Sequence, residues 1–234
     1  MHSLPLVSVV IPFYNCEYVD QAMESALQQS YPRLQIIVVN DGSIWHKEKI
    51  APYFDRIDYI EKGNGGTASA LNAGIRAASG EYFAWLSSDD LYDKQKIEKQ
   101  VTFMGERNAG VSYTSYWLID PENRIIGGPA GIHYPEKREF QQKIGTGCFI
   151  NGCTVMVKMG IFDEVGPFDE HLRFTHDYDM WLRILQKYDF HYLDDPLVMY
   201  RVHPKMSSKR FHHAAMEEIR LVQQKHRSFL QNLM

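Results

Sequence analysis

The sequence predicts an α/β protein built on a mostly parallel central sheet flanked by helices, and three observations lead to this prediction. Short β-branched runs alternate with helical patterns through the first hundred residues, which is typical of βαβ units. Two of these runs lead directly into acidic residues. The chain has 234 residues, of which 44% are hydrophobic, and this is enough for one substantial core.

The first half is predicted to contain four strands separated by helices or turns. The helix after the first strand should end at Tyr31, because the residue before Pro32 disfavours helical backbone. Apolar side chains recur at helical spacing in the later segments, as an amphipathic helix requires. The predicted strands are 7–11, 35–40, 57–60 and 82–86, and the predicted helices are 17–30, 67–79 and a third from 93 onward.

The second half is less regular, so a smaller region with mixed strand directions is expected there. A Gly/Pro-rich stretch at 127–135 is expected to be irregular. The last segment should form one amphipathic helix. The predicted elements are strands at 111–119, 154–157 and 197–202 and helices at 178–185 and 212–233.

Composition excludes several classes of protein. A net charge of -4 argues against a nucleic-acid partner, which needs a basic face. Cys16, Cys148 and Cys153 form neither a zinc quartet nor an even set for a disulfide framework, so a cytoplasmic location is expected. No apolar run reaches membrane-spanning length, so any membrane contact should be peripheral.

Adjacent carboxylates follow the fourth strand, in the run Leu86-Ser87-Ser88-Asp89-Asp90-Leu91. Ligands of open α/β sheets bind beyond the carboxyl ends of the strands. Oxygen donors there suit Mg²⁺ or Mn²⁺, whose remaining ligands are commonly phosphate oxygens. The alternative is that Asp89 and Asp90 cap the next helix.

A second acid, Asp41, lies at the end of the second strand in Asn40-Asp41-Gly42-Ser43. It is either a turn residue before Gly42 or a hydrogen-bond acceptor for a nucleobase or ribose. No Gly-x-Gly-x-x-Gly follows the first strand, and the Gly63–Gly66 loop lacks P-loop spacing, which excludes a nicotinamide dehydrogenase and a P-loop enzyme. A nucleotide base would instead lie against Pro12 and Tyr14.

Seven motifs in order resemble glycosyltransferases of family 2, which have the GT-A fold, and the resemblance spans about Val7 to Ser208. Each motif alone is weak, but their order and their placement on strands and helices are specific. The motifs are VSVVIPFYN at 7–15, IIVVNDGS at 36–43, NGG at 64–66 with ALNAG at 70–74, GEYFAWLSSDD at 80–90, VGPFDE at 165–170, HDYDMWLR at 176–183 and YRVH at 200–203.

The resemblance implies a nucleoside-diphosphate-sugar donor, with a UDP-sugar favoured, a divalent cation (Mg²⁺ or Mn²⁺) and inversion at the anomeric carbon. It also implies roles for individual residues. Asp177 would be the general base, Asp89 and Asp90 would hold the metal with His203 near it or the diphosphate, and the nucleotide-sugar would contact Pro12, Tyr14, Asp41, Ser87 and Asp89.

Some positions depart from the family pattern. Ser87 stands where an acid is common, so either its hydroxyl contacts the ribose or Asp89 does. His176 stands before Asp177 where an acid is also common, which lowers the local negative charge. Lys62 either faces the nucleotide or is a solvated loop residue.

The leading hypothesis is an inverting glycosyltransferase acting on a hydroxyl of a saccharide, lipid-linked or protein-linked acceptor. The alternative is a non-catalytic nucleotide-sugar-binding module whose metal motif decayed at Ser87. A single domain is expected over 1–234, with a nucleotide-sugar-binding half at 1–110, an acceptor-binding and catalytic half at 111–210 and a C-terminal helix at 211–234. That helix would pack on its own domain, or dock on a membrane or in a homodimer.

Overall fold

The computed structural model describes residues 4–206 and 211–233, and a nine-stranded sheet forms its centre. Ser208, where the family resemblance ends, lies outside the described residues, as do the outermost residues of the predicted domain. The strands are β1 Val7–Phe13, β2 Leu34–Asp41, β3 Asp58–Lys62, β4 Tyr82–Trp85, β5 Leu91–Tyr92, β6 Val111–Ile119, β7 Ile125–Ala130, β8 Met156–Lys158 and β9 Phe190–Arg201.

Helices cover both faces of this sheet. Short 3-10 turns lie at Lys47–Lys49, Ala51–Tyr53 and Gly152–Thr154. The α-helices are α1 Val19–Leu27, α2 Thr67–Ala77, α3 Lys96–Glu106, α4 Lys137–Ile144, α5 Ile161–Val165, α6 His176–Leu185, α7 His212–Lys225 and α8 Arg227–Leu233.

The first four strands are parallel and lie in the order β3-β2-β1-β4. The chain builds outward from β1 to β2 and β3 and then returns to place β4 on the other side of β1. Such a reversal opens a crevice at the carboxyl ends of the strands. The ends of β1, β2 and β4 therefore meet at one edge, as the sequence predicts.

Alternate residues of β1 enter the two cores on opposite faces of the sheet. Val10 packs with residues of α2 and α6 on one face, whereas Val9 and Ile11 pack with residues of α1 and α3 on the other. Gly74 lets α2 lie directly on β1, because a Cβ there would come within 2.3 Å of Val10 Cγ1. The run of buried residues in β1 thus reflects a strand covered on both sides.

The remaining strands extend the sheet with mixed directions, as expected. β8 is antiparallel to β4 and β6, and β9 runs parallel to β6. Leu91 of β5 pairs with Met199 of β9. This pairing brings the carboxyl end of β9 beside the segment that follows β4, and so positions the candidate site.

Some elements differ from the prediction. The strand Val111–Ile119 is confirmed. Trp85 and Trp181 lie in apolar stretches of the sequence, which favours core packing for both, and both are buried. The stretch expected to be irregular contains most of β7, which pairs with β6, and α4 was not predicted.

The C-terminal segment forms two helices rather than the single one predicted. It packs on its own domain, since Val222 of α7 is fully buried and the ring of His226, where the helices separate, lies 2.9 Å from Asp179 Oδ1. The predicted membrane or homodimer contact of this segment stays a prediction. Among helices of the described residues, none has the length and apolarity needed to span a membrane.

Candidate active site

The segment after β4 separates two adjacent carboxylates into different environments. The Asp89 side chain is 29% exposed, and its Oδ2 lies 3.1 Å from Nε2 of His203. Asp90 is buried, and its Oδ1 accepts a hydrogen bond from the Arg201 amide at 2.8 Å while its Oδ2 accepts one from Cys153 Sγ at 3.2 Å. Asp89 therefore faces the crevice, whereas Asp90 belongs to the interior.

The electrostatics of Asp90 agree with this division. Burial raises the pKa of the Asp90 carboxyl well above its usual range, and the neighbouring Asp89 charge raises it further. Burial likewise raises the pKa of the Cys153 thiol, and the Asp90 charge adds to the effect. The Cys153 sulfur also accepts hydrogen bonds from the Ser87 hydroxyl and the Ser87 amide, both at 3.2 Å. The Ser87 hydroxyl is thus already engaged.

Arg201, at the end of β9, binds the segment after β4 from its buried side. Its side chain is fully buried, and its Nε donates to the Asp89 carbonyl at 2.7 Å. The guanidinium also donates to Pro121 O at 3.0 Å, Asn123 Oδ1 at 2.6 Å and Gln21 Oε1 at 3.0 Å. A buried guanidinium requires such complete pairing. Arg201 was not among the predicted site residues, although it lies in the YRVH motif that supported the resemblance.

The predicted metal ligands Asp89, Asp90 and His203 do not converge as a set of three. Across residues 4–206 and 211–233, no three His, Cys, Asp or Glu side chains are grouped so that they could hold a metal ion. Asp89 and His203 lie together, but Asp90 is turned toward Cys153 and the Arg201 amide. The predicted role of Asp90 as a ligand stays a prediction, and its contacts favour a structural role.

Asp41, at the end of β2, anchors the glycine loop. Its carboxylate accepts hydrogen bonds from the amides of Gly65 and Gly66, the shortest at 2.7 Å, and from Asn64 Nδ2 at 3.1 Å. Lys62 Nζ lies 2.6 Å from Asp41 Oδ1. Asp41 and Lys62, which were both predicted to contact the nucleotide, therefore form an ion pair with each other. Direct contact of either residue with a nucleotide stays a prediction.

An exposed aromatic side chain follows β1 at the same edge of the sheet. Tyr14 is 55% exposed, and Pro12 lies half-buried in β1. The next residue, Asn15, accepts hydrogen bonds at Oδ1 from the amides of Ile44 and Trp45 at 2.9 and 3.0 Å. These bonds tie the segment after Asp41 to the end of β1, so the predicted base-binding residues lie on neighbouring strand ends.

Asp177 lies in the first turn of α6. Its side chain is half-buried, and Oδ1 accepts a hydrogen bond from the Tyr178 amide at 2.7 Å. Burial raises the pKa of the Asp177 carboxyl, although the nearby His176 and the Tyr178 amide act in the opposite direction. A carboxylate with raised proton affinity is suited to accept a proton.

His176 links Asp177 to the end of β4. Its ring is buried and lies 5.5 Å from the Trp85 ring, centroid to centroid. Within the described part of the chain, neither ring nitrogen has a hydrogen-bond partner, and burial lowers the pKa of the imidazole. The backbone of Gly152 packs directly against the Trp85 indole, and a Cβ at this position would come within 2.1 Å of the ring. The segment that carries Asp89 and the helix that carries Asp177 therefore share the end of β4.

A mostly parallel sheet with this strand order opens its ligand crevice at the carboxyl edge, where these acids lie, and the fold is of the GT-A type. The chain belongs to glycosyl transferase family 2, whose model matches residues 8–166. The predicted family and fold are confirmed. The match ends before Asp177 and His203, so their roles rest on the motifs and the geometry.

Relatives named as glycosyltransferases support this assignment. An uncharacterized glycosyltransferase of Rickettsia typhi is 41% identical over 85% of this chain, and the chain spans 64% of that relative. A putative teichuronic acid biosynthesis glycosyltransferase of Bacillus subtilis, TuaG, is 34% identical over 88% of this chain and 83% of the relative. These relatives support the family assignment.

Solved structures share the fold at low sequence identity. TarS of S. aureus matches with a TM-score of 0.70 and 20% identity over 92% of this chain and 39% of TarS. A mannosyltransferase of Pyrobaculum calidifontis, solved with GDP-Man and Mn²⁺, matches with a TM-score of 0.69 and 18% identity over 93% of this chain and 65% of its own. These likenesses concern the fold.

Proposed function

We propose that the protein transfers a sugar from a nucleoside-diphosphate-sugar to an acceptor hydroxyl. The hydroxyl would displace the nucleoside diphosphate directly, with inversion at the anomeric carbon. One observation carries the proposal. The end of β4 lies beside the pair of a partly exposed Asp89 and a buried His203, 3.1 Å apart, and beside a helix whose first turn presents Asp177 with a raised pKa. The residues proposed to act on the leaving diphosphate, Asp89 and His203, and the proposed base, Asp177, are thus both positioned by the end of β4.

The donor set of Asp89 and His203 fits a divalent cation. Asp89 Oδ2 and His203 Nε2 lie 3.1 Å apart and would hold it, since carboxylate and imidazole groups are both common metal ligands. Diphosphate oxygens and water would supply the remaining ligands. The cation would neutralise the charge that develops on the departing diphosphate.

The chain's own residues would orient and deprotonate the acceptor. Asp177 would accept the proton of the acceptor hydroxyl as that oxygen attacks the anomeric carbon. Arg201 and Cys153 would keep the backbone of Asp89 in place through the contacts described above. Pro12 and Tyr14 would line the base pocket, with Asp41 and Lys62 bounding it.

A UDP-sugar is the favoured donor, because TarS has been solved with UDP and with UDP-GlcNAc. The acceptor proposed is a growing saccharide or a lipid-linked one, since the relatives include TuaG and a chondroitin synthase of Pasteurella multocida, 30% identical over 83% of this chain. A cytoplasmic site of action, peripheral to the membrane, is proposed with it.

Calorimetric titration tests the binding half of this proposal. UDP, GDP and dTDP would each be titrated into the protein with Mn²⁺, with Mg²⁺ and with EDTA. We expect one nucleotide to bind at micromolar concentrations with the metal, and about tenfold or more weakly without it, because a cation held by Asp89 would offset the charge of the diphosphate. Lack of affinity for all three nucleotides contradicts the proposal.

Replacing Asp89 with Asn should abolish most of the metal-dependent gain in nucleotide affinity. Loss of a partner that merely orients a ligand costs about 10- to 100-fold in metal affinity, so loss of the ligand itself should cost at least as much. Asp93→Asn is the matched control, because Asp93 is half-buried in the same segment and its Oδ1 accepts from the Gln95 amide, a bond that Asn retains. An equal response of both variants to Mn²⁺ in the same titration contradicts the assignment.

A further inference from the structure

A carboxylate from the C-terminal helix α7 binds the backbone immediately before α6. Glu218 accepts hydrogen bonds from the amides of Arg173, Phe174 and Thr175 at 2.9, 2.8 and 3.1 Å. The Thr175 hydroxyl donates to the same carboxylate at 3.0 Å. Successive amides that converge on one anion form a nest, a conformation stabilised by the anion it holds.

This nest lies directly before the proposed base. Thr175 is the N-cap residue of α6, and Asp177 follows two residues later. Because the Thr175 hydroxyl donates to Glu218, this bond joins the cap of α6 to α7. Glu218 therefore contacts the three residues that lead directly into the turn that carries Asp177.

Helix α7 is itself held in place at a second point. Val222, one turn after Glu218, is fully buried. Asp179 of α6 is also fully buried and lies 2.9 Å from Lys225 Nζ and 2.9 Å from His226 Nε2. Although burial opposes it, hydrogen bonds from His226 and Lys225 lower the pKa of Asp179. Glu218 is thus presented from a helix anchored on α6 itself.

We propose that Glu218 is a positioning residue that sets the orientation of the Asp177 carboxylate toward the acceptor hydroxyl. The inference rests on the proposed function of Asp177. It extends the machinery of transfer to a helix that lies beyond the part of the chain matched by the family model, which ends at residue 166. Helix α7 is then part of the catalytic half rather than an appendage to it.

The neighbouring Glu217 provides a matched control. It is exposed and lies 3.5 Å from the exposed His213 on the same helix. Replacement of either glutamate by Ala or Gln removes the same charge from the same helix. Only replacement of Glu218 removes the carboxylate that the amides of the nest bind. The four variants would be compared with the wild type in donor hydrolysis with Mn²⁺, over a range of pH.

For Glu218→Ala we expect kcat to fall about 10- to 100-fold, the scale of loss when a reacting group is displaced by about 1 Å. The donor KM and the UDP affinity should stay within about twofold of wild type, because the nucleotide is proposed to bind at the ends of β1, β2 and β4, away from Glu218. The acidic limb of the rate profile should move to lower pH, since a loosened Asp177 is better hydrated. Glu218→Gln, which keeps one acceptor oxygen, should show a smaller loss.

Glu217 variants should behave as wild type in all three measurements. If Glu218→Gln and Glu217→Gln have the same kcat and the same pH profile, the inference is wrong. Should Glu218→Ala fail to fold by circular dichroism, Glu218→Gln and Glu218→Asp decide the question. A wild-type protein that turns over no donor contradicts the proposed function itself, whereas an active wild type with unaffected Glu218 variants contradicts this inference alone.

Discussion

Replacing Asp177 with Asn is expected to lower kcat for sugar transfer by a factor of about 10²–10⁴, the range attributed to general acid–base catalysis. Asn has nearly the same shape and can still accept from the Tyr178 amide, as Asp177 Oδ1 does at 2.7 Å. It cannot take up the acceptor proton. UDP affinity should remain unchanged, because the nucleotide is proposed to bind at the ends of β1, β2 and β4.

The control for this variant is Asp163→Asn. Asp163 lies in the first turn of α5 and is exposed, so its replacement removes a similar carboxylate from a similar helical position. Steady-state rates of nucleoside diphosphate release would compare the two variants. Undiminished turnover by Asp177→Asn would remove Asp177 from the role of base.

The pH dependence of the wild type follows from the same residue. Burial raises the pKa of Asp177, and the base must be deprotonated to act. The value of kcat/KM should therefore fall as pH decreases through a pKa above the usual carboxyl value near 4.

Replacing Arg201 with Met is expected to lower the free energy of unfolding by about 2–5 kcal/mol, because each buried acceptor left without its donor costs about 1–3 kcal/mol. Met retains much of the length of the side chain but donates no hydrogen bond. The Asp89 carbonyl, Asn123 Oδ1 and Gln21 Oε1 would lose their donor. Asp90 would lose the Arg201 charge, which opposes the increase in its pKa.

Urea unfolding compares this variant with Arg124→Met. Arg124 belongs to the same turn that Arg201 contacts, but its side chain is 72% exposed, and it pairs with Asp120 at 2.6 Å. Such a surface pair contributes about 0–1 kcal/mol. If Arg201→Met costs no more than Arg124→Met, the buried network does not stabilise the fold as argued here.

Parts of the fold that depend on local sequence were predictable. Strands β1, β2 and β6 are continuous runs of buried or half-buried residues, rich in β-branched or aromatic side chains, and such runs predict strands. Strand β7 was not predictable, because Gly127, Gly128 and Pro129 disfavour a strand, and its pairing with β6 decides its conformation. Helix α4 has little apolar periodicity, with Phe140 and Ile144 as its buried residues.

The candidate site shows the same limit. The motifs located Asp41, Asp89 and Asp177 at strand and helix ends, where the structure places them. They did not reveal that Asp90 is turned inward, because its partner Arg201 lies 111 residues further along the chain. Nor did they reveal Glu218, since a carboxylate that binds backbone amides leaves no pattern in the sequence around it.

The central claim, direct displacement at the anomeric carbon with Asp177 as base, is tested most directly by the configuration of the sugar first released. Time-resolved proton NMR would follow hydrolysis of α-configured UDP-GlcNAc, and of other α-configured donors, by the protein with Mn²⁺ before mutarotation. We expect the β-anomer to appear first, and Asp177→Asn to release it at least about a hundredfold more slowly. First release of the α-anomer, or no release from any donor, would contradict the claim.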